Sequence, residues 1–117
     1  MTPPTIDFGV AEHWVECAVV VAAWGDLDLA TAPQLADAIE AAARKEPAAL
    51  IVDLSGVDFL ASAGMTVLIT AHRDIAPSAR FGVVADGPST SRPLKKIGID
   101  NIVDVYCTLD EALDEFA

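Results

Sequence analysis

The sequence places one hydroxyl group, that of Ser62, between a buried-strand pattern and a helix pattern. The largely apolar run Leu50–Leu54 suits a strand covered on both faces, and an apolar repeat at helical spacing predicts a helix that begins near Ser62. A serine there can cap the helix by accepting hydrogen bonds from the free amides of its first turn. Those amides and the helix dipole would also stabilise a phosphate group. The spacing favours the capping role for Ser62. A role as a phosphorylation site remains the alternative.

Four carboxylates fall near predicted strand ends, as Ser62 does: Asp26, Asp28, Asp53 and Asp58. In α/β proteins, binding and catalytic groups gather at the carboxyl ends of parallel strands. Each aspartate could be only a turn or cap residue, and for Asp53 and Asp58 this structural role is the favoured interpretation.

The elements that must position these groups alternate between strand and helix patterns. The predicted strands are Thr5–Val15, Cys17–Trp24, Leu50–Leu54, Arg80–Ala85 and Ile102–Cys107. The predicted helices are Thr31–Lys45, Ser62–Ile75, Ser91–Ile97 and Leu109–Phe116. Turn residues at Gly25 and a break at Gly56 are expected to end the second and third strands. The order predicts a single α/β domain over residues 1–117, with a mixed, mostly parallel sheet of about five strands and about four helices.

Two threonines have the spacing of a capping box. Thr31 precedes Gln34 by three places, and Thr108 precedes Glu111 by three places. In such a box, each of the two side chains accepts a hydrogen bond from the backbone amide of the other residue. The sequence therefore predicts that a helix starts at each threonine. Gly98 is expected to end the short helix Ser91–Ile97.

Composition narrows the classes of partner. Eighteen acidic against seven basic residues give a net charge of -11, which repels phosphate backbones and anionic lipids, so neither nucleic acid nor a membrane is expected. The longest apolar run, Cys17–Trp24, is too short to span a bilayer, and Met1–Pro4 lacks the features of a secretory signal, so we expect a cytoplasmic protein. Cys17 and Cys107 lack CxxC spacing and are interpreted as two buried thiols rather than a redox pair.

A serine hydrolase is one reading of the Ser62 segment. Leu60–Gly64 is similar to a nucleophile elbow whose first glycine is replaced by leucine. A serine nucleophile needs an imidazole within about 3 Å, yet His72 lies ten residues further along the same helix and His13 precedes the serine. We therefore expect no enzyme, no catalytic residue, no metal site and no cofactor.

A phosphorelay receiver is another reading, since Asp53 could end a central strand. Receivers also need a lysine after the last strand to hold the phosphoryl group. Here that place is taken by Cys107 and Thr108, while Lys95 and Lys96 fall inside a predicted helix. The receiver reading is therefore disfavoured.

Two segments together carry a resemblance to a known family. Trp24–Ala32, WGDLDLATA, resembles the signature G-E-L-D-x-x-T-A, and Val52–Met65, VDLSGVDFLASAGM, resembles the strand-to-helix signature around D-S-S-G. Both signatures belong to STAS-domain anti-sigma factor antagonists, and Arg80–Ile102 looks like the actinobacterial members. The resemblance covers almost the whole chain.

The resemblance implies a partner switch in transcription regulation and stress response. In this family the unphosphorylated protein binds an anti-sigma factor of the serine kinase type and thereby frees a sigma factor. Phosphorylation ends that binding, and a phosphatase would restore it. A STAS-type module that senses a nucleotide or small ligand remains the alternative, although the chain lacks a Gly-rich phosphate loop.

Residue by residue, Ser62 falls on the serine that receives phosphate. Ala61 replaces the aspartate before it and Ala63 the serine after it, so kinase efficiency could differ from that of the family. Asp28 falls on the signature aspartate and is expected either to face the partner or only to fix the turn. The full set expected at the partner surface is Asp26, Asp28, Thr31, Ala61, Ser62, Ala63, Gly64 and Met65.

Overall fold

Strands and helices alternate along the chain in the predicted order. The computed structural model describes residues 8–116. Its strands are β1 (Phe8–Val15), β2 (Ala18–Leu27), β3 (Ala49–Leu60), β4 (Arg80–Val84) and β5 (Asp104–Tyr106). Its helices are α1 (Ala32–Ala43), α2 (Ser62–Ile75), α3 (Ser91–Ile97) and α4 (Leu109–Phe116), with a 3₁₀ turn at Ile99–Asn101.

The five strands form one sheet in the order β1-β2-β3-β4-β5. β1 is antiparallel to β2, and the remaining neighbours are parallel, which confirms the predicted mixed, mostly parallel sheet. The parallel strands therefore end at a common side, here named the carboxyl edge, and begin at the opposite side, the amino edge. Each helix after a parallel strand starts at the carboxyl edge and returns the chain toward the amino edge.

The sheet is covered on both faces. Side chains from α1, α2 and α3 pack on one face with Val19 and Leu50, while α4 packs on the other with Val20 and Ile51. All four of these strand residues are 0% exposed. Burial on both faces explains why β2 and the first half of β3 read as nearly continuous apolar runs rather than as alternating patterns.

β2 and β3 are longer than predicted, because neither glycine ends its strand. β2 continues past Gly25 to Leu27, and β3 continues through Gly56 to Leu60. The pairing register shifts between Ala22 and Trp24 and again between Gly25 and Asp26, so bulges absorb the irregular residues. A Cβ at Gly56 would lie 2.9 Å from Trp24 Cβ. Gly56 therefore permits a close approach of two strands instead of terminating one.

Some predictions at the strand ends were also wrong. Cys17 and Cys107 are exposed, not buried, because they lie just outside β2 and β5 in solvent-facing connections. β5 begins only at Asp104, since the amides of Ile102 and Val103 both donate to the Ile99 carbonyl and continue the turn that follows the 3₁₀ segment. Thr5–Asp7 of the first predicted strand lie outside the described residues. Among residues 8–116, no helix has the length and apolar character needed to cross a membrane.

Candidate functional site

Ser62 is the first helical residue of α2 and is exposed at the carboxyl edge. The N-cap position belongs to Ala61, whose extended backbone has φ -89° and ψ 169°. In the part of the chain that the structure describes, no side chain caps α2. The predicted capping role of Ser62 is therefore wrong: a cap must precede the first helical residue, and Ser62 lies one place too far.

The first turn of α2 is closed by its own backbone. The amides of Gly64 and Met65 both donate to the Ala61 carbonyl, at 3.0 and 3.2 Å. The amides of Ser62 and Ala63 precede the intrahelical hydrogen-bond pattern, as in every helix, and carry the positive end of the dipole. An anionic group on the Ser62 side chain would thus meet a favourable local field.

Gly64 and Met65 hold the first turn of α2 against the sheet. A Cβ at Gly64 would lie 2.7 Å from Leu27 Cγ and 2.8 Å from Leu60 Cδ1, so only glycine allows this approach. Met65 is 9% exposed and packs in the core. The two residues position Ser62, while a direct contact of either with a partner stays a prediction.

The loop between β2 and α1 is locked by Asp28. Its Oδ1 accepts hydrogen bonds from the amides of Ala30, at 3.0 Å, and Thr31, at 3.1 Å. Its carbonyl accepts from the amide of Ala32 at 2.8 Å. An aspartate bonded to amides two and three places ahead fixes a turn. The structural role expected for Asp28 is confirmed, and its contact with a partner stays a prediction.

Thr31 completes this lock instead of forming the predicted capping box. Its hydroxyl donates to the Asp26 carbonyl at 2.7 Å and accepts from the Asp28 amide at 2.9 Å. Among the described residues, no side chain caps α1, although the Gln34 amide bonds the Thr31 carbonyl at 2.9 Å. The box prediction failed because the hydroxyl turns back toward the end of β2.

The locked loop and Ser62 lie side by side. Leu27 pairs with Leu60 across β2 and β3, and the Ala61 amide donates to the Leu27 carbonyl at 2.9 Å. Distant parts of the sequence are thus joined one residue before Ser62 and one residue before Asp28. The structure brings together at this edge Asp26, Asp28, Thr31, Ala61, Ser62 and Ala63.

The sequence interpretation missed two residues at this edge. Leu29 is 81% exposed and Phe59 is 54% exposed, both unusually open for large apolar side chains. A leucine between the two loop residues Asp28 and Ala30, outside any strand or helix repeat, was the available signal. Phe59 gave no such signal, since its position in a strand was compatible with burial.

The same architecture recurs among known proteins. The STAS domain family model matches residues 5–112. The chain belongs to the STAS domain family. It is 39% identical over 111 residues to the anti-sigma-F factor antagonist RsfB of Mycobacterium tuberculosis, covering 95% of this chain and 89% of that protein.

Solved structures agree on the fold of this STAS domain. A crystal structure of an anti-sigma factor antagonist from Mycobacterium paratuberculosis superposes with a TM-score of 0.90 at 37% identity, covering 99% of this chain and 98% of that one. The antagonist SpoIIAA in its unphosphorylated form gives a TM-score of 0.74 at 20% identity, covering 92% and 95%. At that identity SpoIIAA supports the fold alone.

Asp53 is not at a strand end in this STAS domain, contrary to prediction. It lies within β3, and its Oδ1 accepts from the Ser55 amide at 2.9 Å and the Ser55 hydroxyl at 2.7 Å. Asp58 is exposed two places before the end of β3. Within residues 8–116, no three His, Cys, Asp or Glu side chains are grouped as metal ligands. The phosphorelay receiver hypothesis required Asp53 at the end of a central strand, and the structure does not place it there.

The two histidines offer Ser62 no support as a nucleophile. His72 lies in the last turn of α2, at the far end of the helix that Ser62 begins. Its ring meets Phe81 edge-on at 6.0 Å, and its Nδ1 is buried without a hydrogen-bond partner among the described residues. His13 lies on the edge strand β1. This placement gives no serine–histidine pair of the kind that hydrolysis needs.

Proposed function

We propose that this STAS domain is an anti-sigma factor antagonist whose docking is switched off by phosphorylation of Ser62. The observation that carries the proposal is the placement of Ser62: exposed, first in α2, beside the Asp28 loop, and not engaged as a helix cap. The names of its mycobacterial relatives, an anti-sigma-F factor antagonist and an anti-sigma factor antagonist, support the same role. Proteins of that class act as regulators rather than as enzymes, and we extend this to the present chain.

A change of charge is sufficient for the switch. A serine hydroxyl is small and neutral, whereas phosphoserine carries about -1.5 to -2 charges and three strong acceptor oxygens. A partner that fits closely around the hydroxyl would leave that charge buried and uncompensated, at a cost of roughly 2 to 5 kcal/mol. This corresponds to about a 30- to several-thousand-fold loss of affinity. Because Ser62 is already exposed, the fold need not change.

The proposed partners are an anti-sigma factor with serine kinase activity and a phosphatase that acts on phospho-Ser62. A cytoplasmic location belongs to the same proposal. Ala61 and Ala63 flank the hydroxyl with methyl groups, so neither neighbour would repel an incoming phosphate. We infer that the site remains a substrate despite its departures from D-S-S-G.

Phosphorylation in solution tests the proposal. The chain is incubated with ATP and the purified anti-sigma-F factor of M. tuberculosis, and intact mass and peptide mapping locate any added phosphoryl group. We expect one group, on Ser62, and none in Ser62→Ala. Thr66→Ala is the matched control, since Thr66 is an exposed hydroxyl one turn further along α2 and should not be the site. Modification elsewhere, or none while RsfB is modified in parallel, would contradict the proposal.

A small-ligand sensor is the second candidate, and a groove between α1 and α2 favours it. The groove has a volume of about 380 Å³. As far as residues 8–116 show, its lining includes the carboxylates Glu40 and Asp74 but neither Lys nor Arg, which disfavours a nucleotide. Titration calorimetry with ATP and GTP tests the nucleotide form of this candidate, and we expect no heat of binding from either nucleotide.

A further inference from the structure

Two large apolar side chains are exposed on the segments that meet next to Ser62. Leu29, in the loop that Asp28 locks, is 81% exposed, and Phe59, just before the end of β3, is 54% exposed. Asp26 is the register partner of Phe59, so the loop and this part of β3 are adjacent. The carboxyl edge therefore presents apolar surface on both segments that flank the hydroxyl.

The position of Leu29 is held rigidly. The amides on either side of it, those of Asp28 and Ala30, both donate to side chains of the loop, at 2.9 and 3.0 Å. The backbone of such a loop loses little conformational freedom when a partner binds, so only the Leu29 side chain itself has to be ordered. In most interfaces a few residues supply most of the affinity, and an apolar side chain that fills a pocket of the partner can be one of them.

The two segments that carry these residues are acidic. Neither residues 24–43 nor residues 49–72 contain Lys or Arg, while Asp26 and Asp58 are exposed there. The basic side chains lie toward the amino ends of the strands or on α3. They are Arg44, Lys45, Arg73, Arg80, Arg92, Lys95 and Lys96.

We propose that Leu29 and Phe59 are the apolar anchors for the anti-sigma factor, whose matching surface is an apolar recess ringed by basic side chains. This inference rests on the proposed function. The carboxylates steer the encounter and set its rate, while the anchors slow dissociation. Phosphorylation adds charge of the sign that basic side chains attract. Because the basic side chains surround the recess, they steer the phosphorylated chain as well. The loss of binding therefore comes from the close contact at Ser62, where the phosphate charge would be buried without a compensating group, and not from weaker steering.

Alanine variants with matched controls test the anchors. Leu29→Ala and Phe59→Ala are compared with Ile97→Ala and Ile102→Ala, whose side chains are 65% and 51% exposed. The controls lie at the amino edge, since Ile97 ends α3 and Ile102 precedes β5. Binding to the anti-sigma-F factor of M. tuberculosis is followed by surface plasmon resonance, and thermal melting of each variant verifies folding.

We expect each anchor variant to bind about 10- to 100-fold more weakly, mainly through faster dissociation, and each control within about twofold of the unsubstituted chain. Added salt should slow association of the unsubstituted chain and of Leu29→Ala alike. Anchor variants that bind as tightly as the controls, while Ser62→Asp does not bind, would overturn the inference and leave the proposed function standing. Absence of binding by the unsubstituted chain would contradict both.

Discussion

The amino termini of α2 and α4 are stabilised in different ways, one without a side-chain cap and the other with one. At α4, the Thr108 hydroxyl accepts from the Glu111 amide at 3.1 Å, and Glu111 Oε1 accepts from the Thr108 amide at 3.3 Å. At α2, the N-cap is Ala61 and the nearest hydroxyl, Ser62, lies one residue inside the helix. The Thr108 hydroxyl therefore stabilises the start of its helix, whereas the Ser62 hydroxyl takes no part in a cap and remains exposed.

The residue at the third helical position differs between the two helices, and in α2 it allows packing to take the place of a cap. In α4 it is Glu111, whose carboxylate closes the capping box. In α2 it is Gly64, where even a Cβ would lie 2.7 Å from Leu27 Cγ. The start of α2 is therefore secured by packing against the sheet. Packing of this kind holds the start of α2 in place without a capping hydrogen bond to the Ser62 hydroxyl.

Replacing Ser62 by aspartate should have the largest effect on partner binding. We expect Ser62→Asp to weaken binding to the anti-sigma-F factor of M. tuberculosis by at least about 30-fold. The melting temperature should stay equal or rise slightly, because a carboxylate suits the first turn of a helix. Surface plasmon resonance and calorimetry measure the two quantities. Weak binding that accompanies a lowered melting temperature would point to misfolding rather than to a switch.

Gly64→Ala should be the most destabilising change within the two helix starts. The added Cβ collides with Leu27 and Leu60, and overpacking of this kind costs about 1 to 3 kcal/mol. Urea denaturation measures the free energy of unfolding, with Thr66→Ala on the exposed face of the same helix as the control. A cost of Gly64→Ala no larger than that of the control would show that packing does not secure this end.

Removing the hydroxyl of Thr108 should lower the free energy of unfolding more than removing the hydroxyl of Ser62. Thr108→Ala removes a capping hydrogen bond and should lower the free energy of unfolding by about 1 kcal/mol. Ser62→Ala removes no cap and should change it by less than about 0.5 kcal/mol. The same urea titration measures both variants. Equal losses would contradict the contrast drawn between them.

Giving α2 the missing cap should produce the smallest effect, and a favourable one. Ala61→Asp places a carboxylate on an extended N-cap residue, where we expect a gain of about 0.5 to 1 kcal/mol in the free energy of unfolding. Ala63→Asp, two places further on and inside the helix, is the control for charge alone. If both variants gained the same amount, the charge and not the cap would be responsible.

Local signals in the sequence predicted several elements well. α3 spans Ser91–Ile97 as predicted, and Gly98 ends it with a left-handed backbone of φ 89°. The capping box at Thr108 and the start of α2 at Ser62 are confirmed. Each of these features depends on contacts between residues a few places apart, which a single segment of sequence contains in full.

Features that depend on neighbouring strands were predicted less well. Gly25 and Gly56 were expected to end β2 and β3, but Gly25 takes a left-handed backbone of φ 92° beside a register shift, and Gly56 permits a close approach to β2. The exposure of Leu29 also follows from the loop that holds it. Whether a glycine ends a strand or permits a close approach depends on the strand alongside, which local spacing does not identify.

The sequence by itself determined the order of elements, the charge, and the helix that starts at Ser62. Only the tertiary structure decided how two segments with the same threonine spacing would behave. Thr108 caps its helix, whereas the Thr31 hydroxyl bonds the Asp26 carbonyl at 2.7 Å and locks the loop beside Ser62. The physical reason is competition: a hydroxyl binds whichever backbone group the fold places within reach, and the end of β2 lies within reach of Thr31.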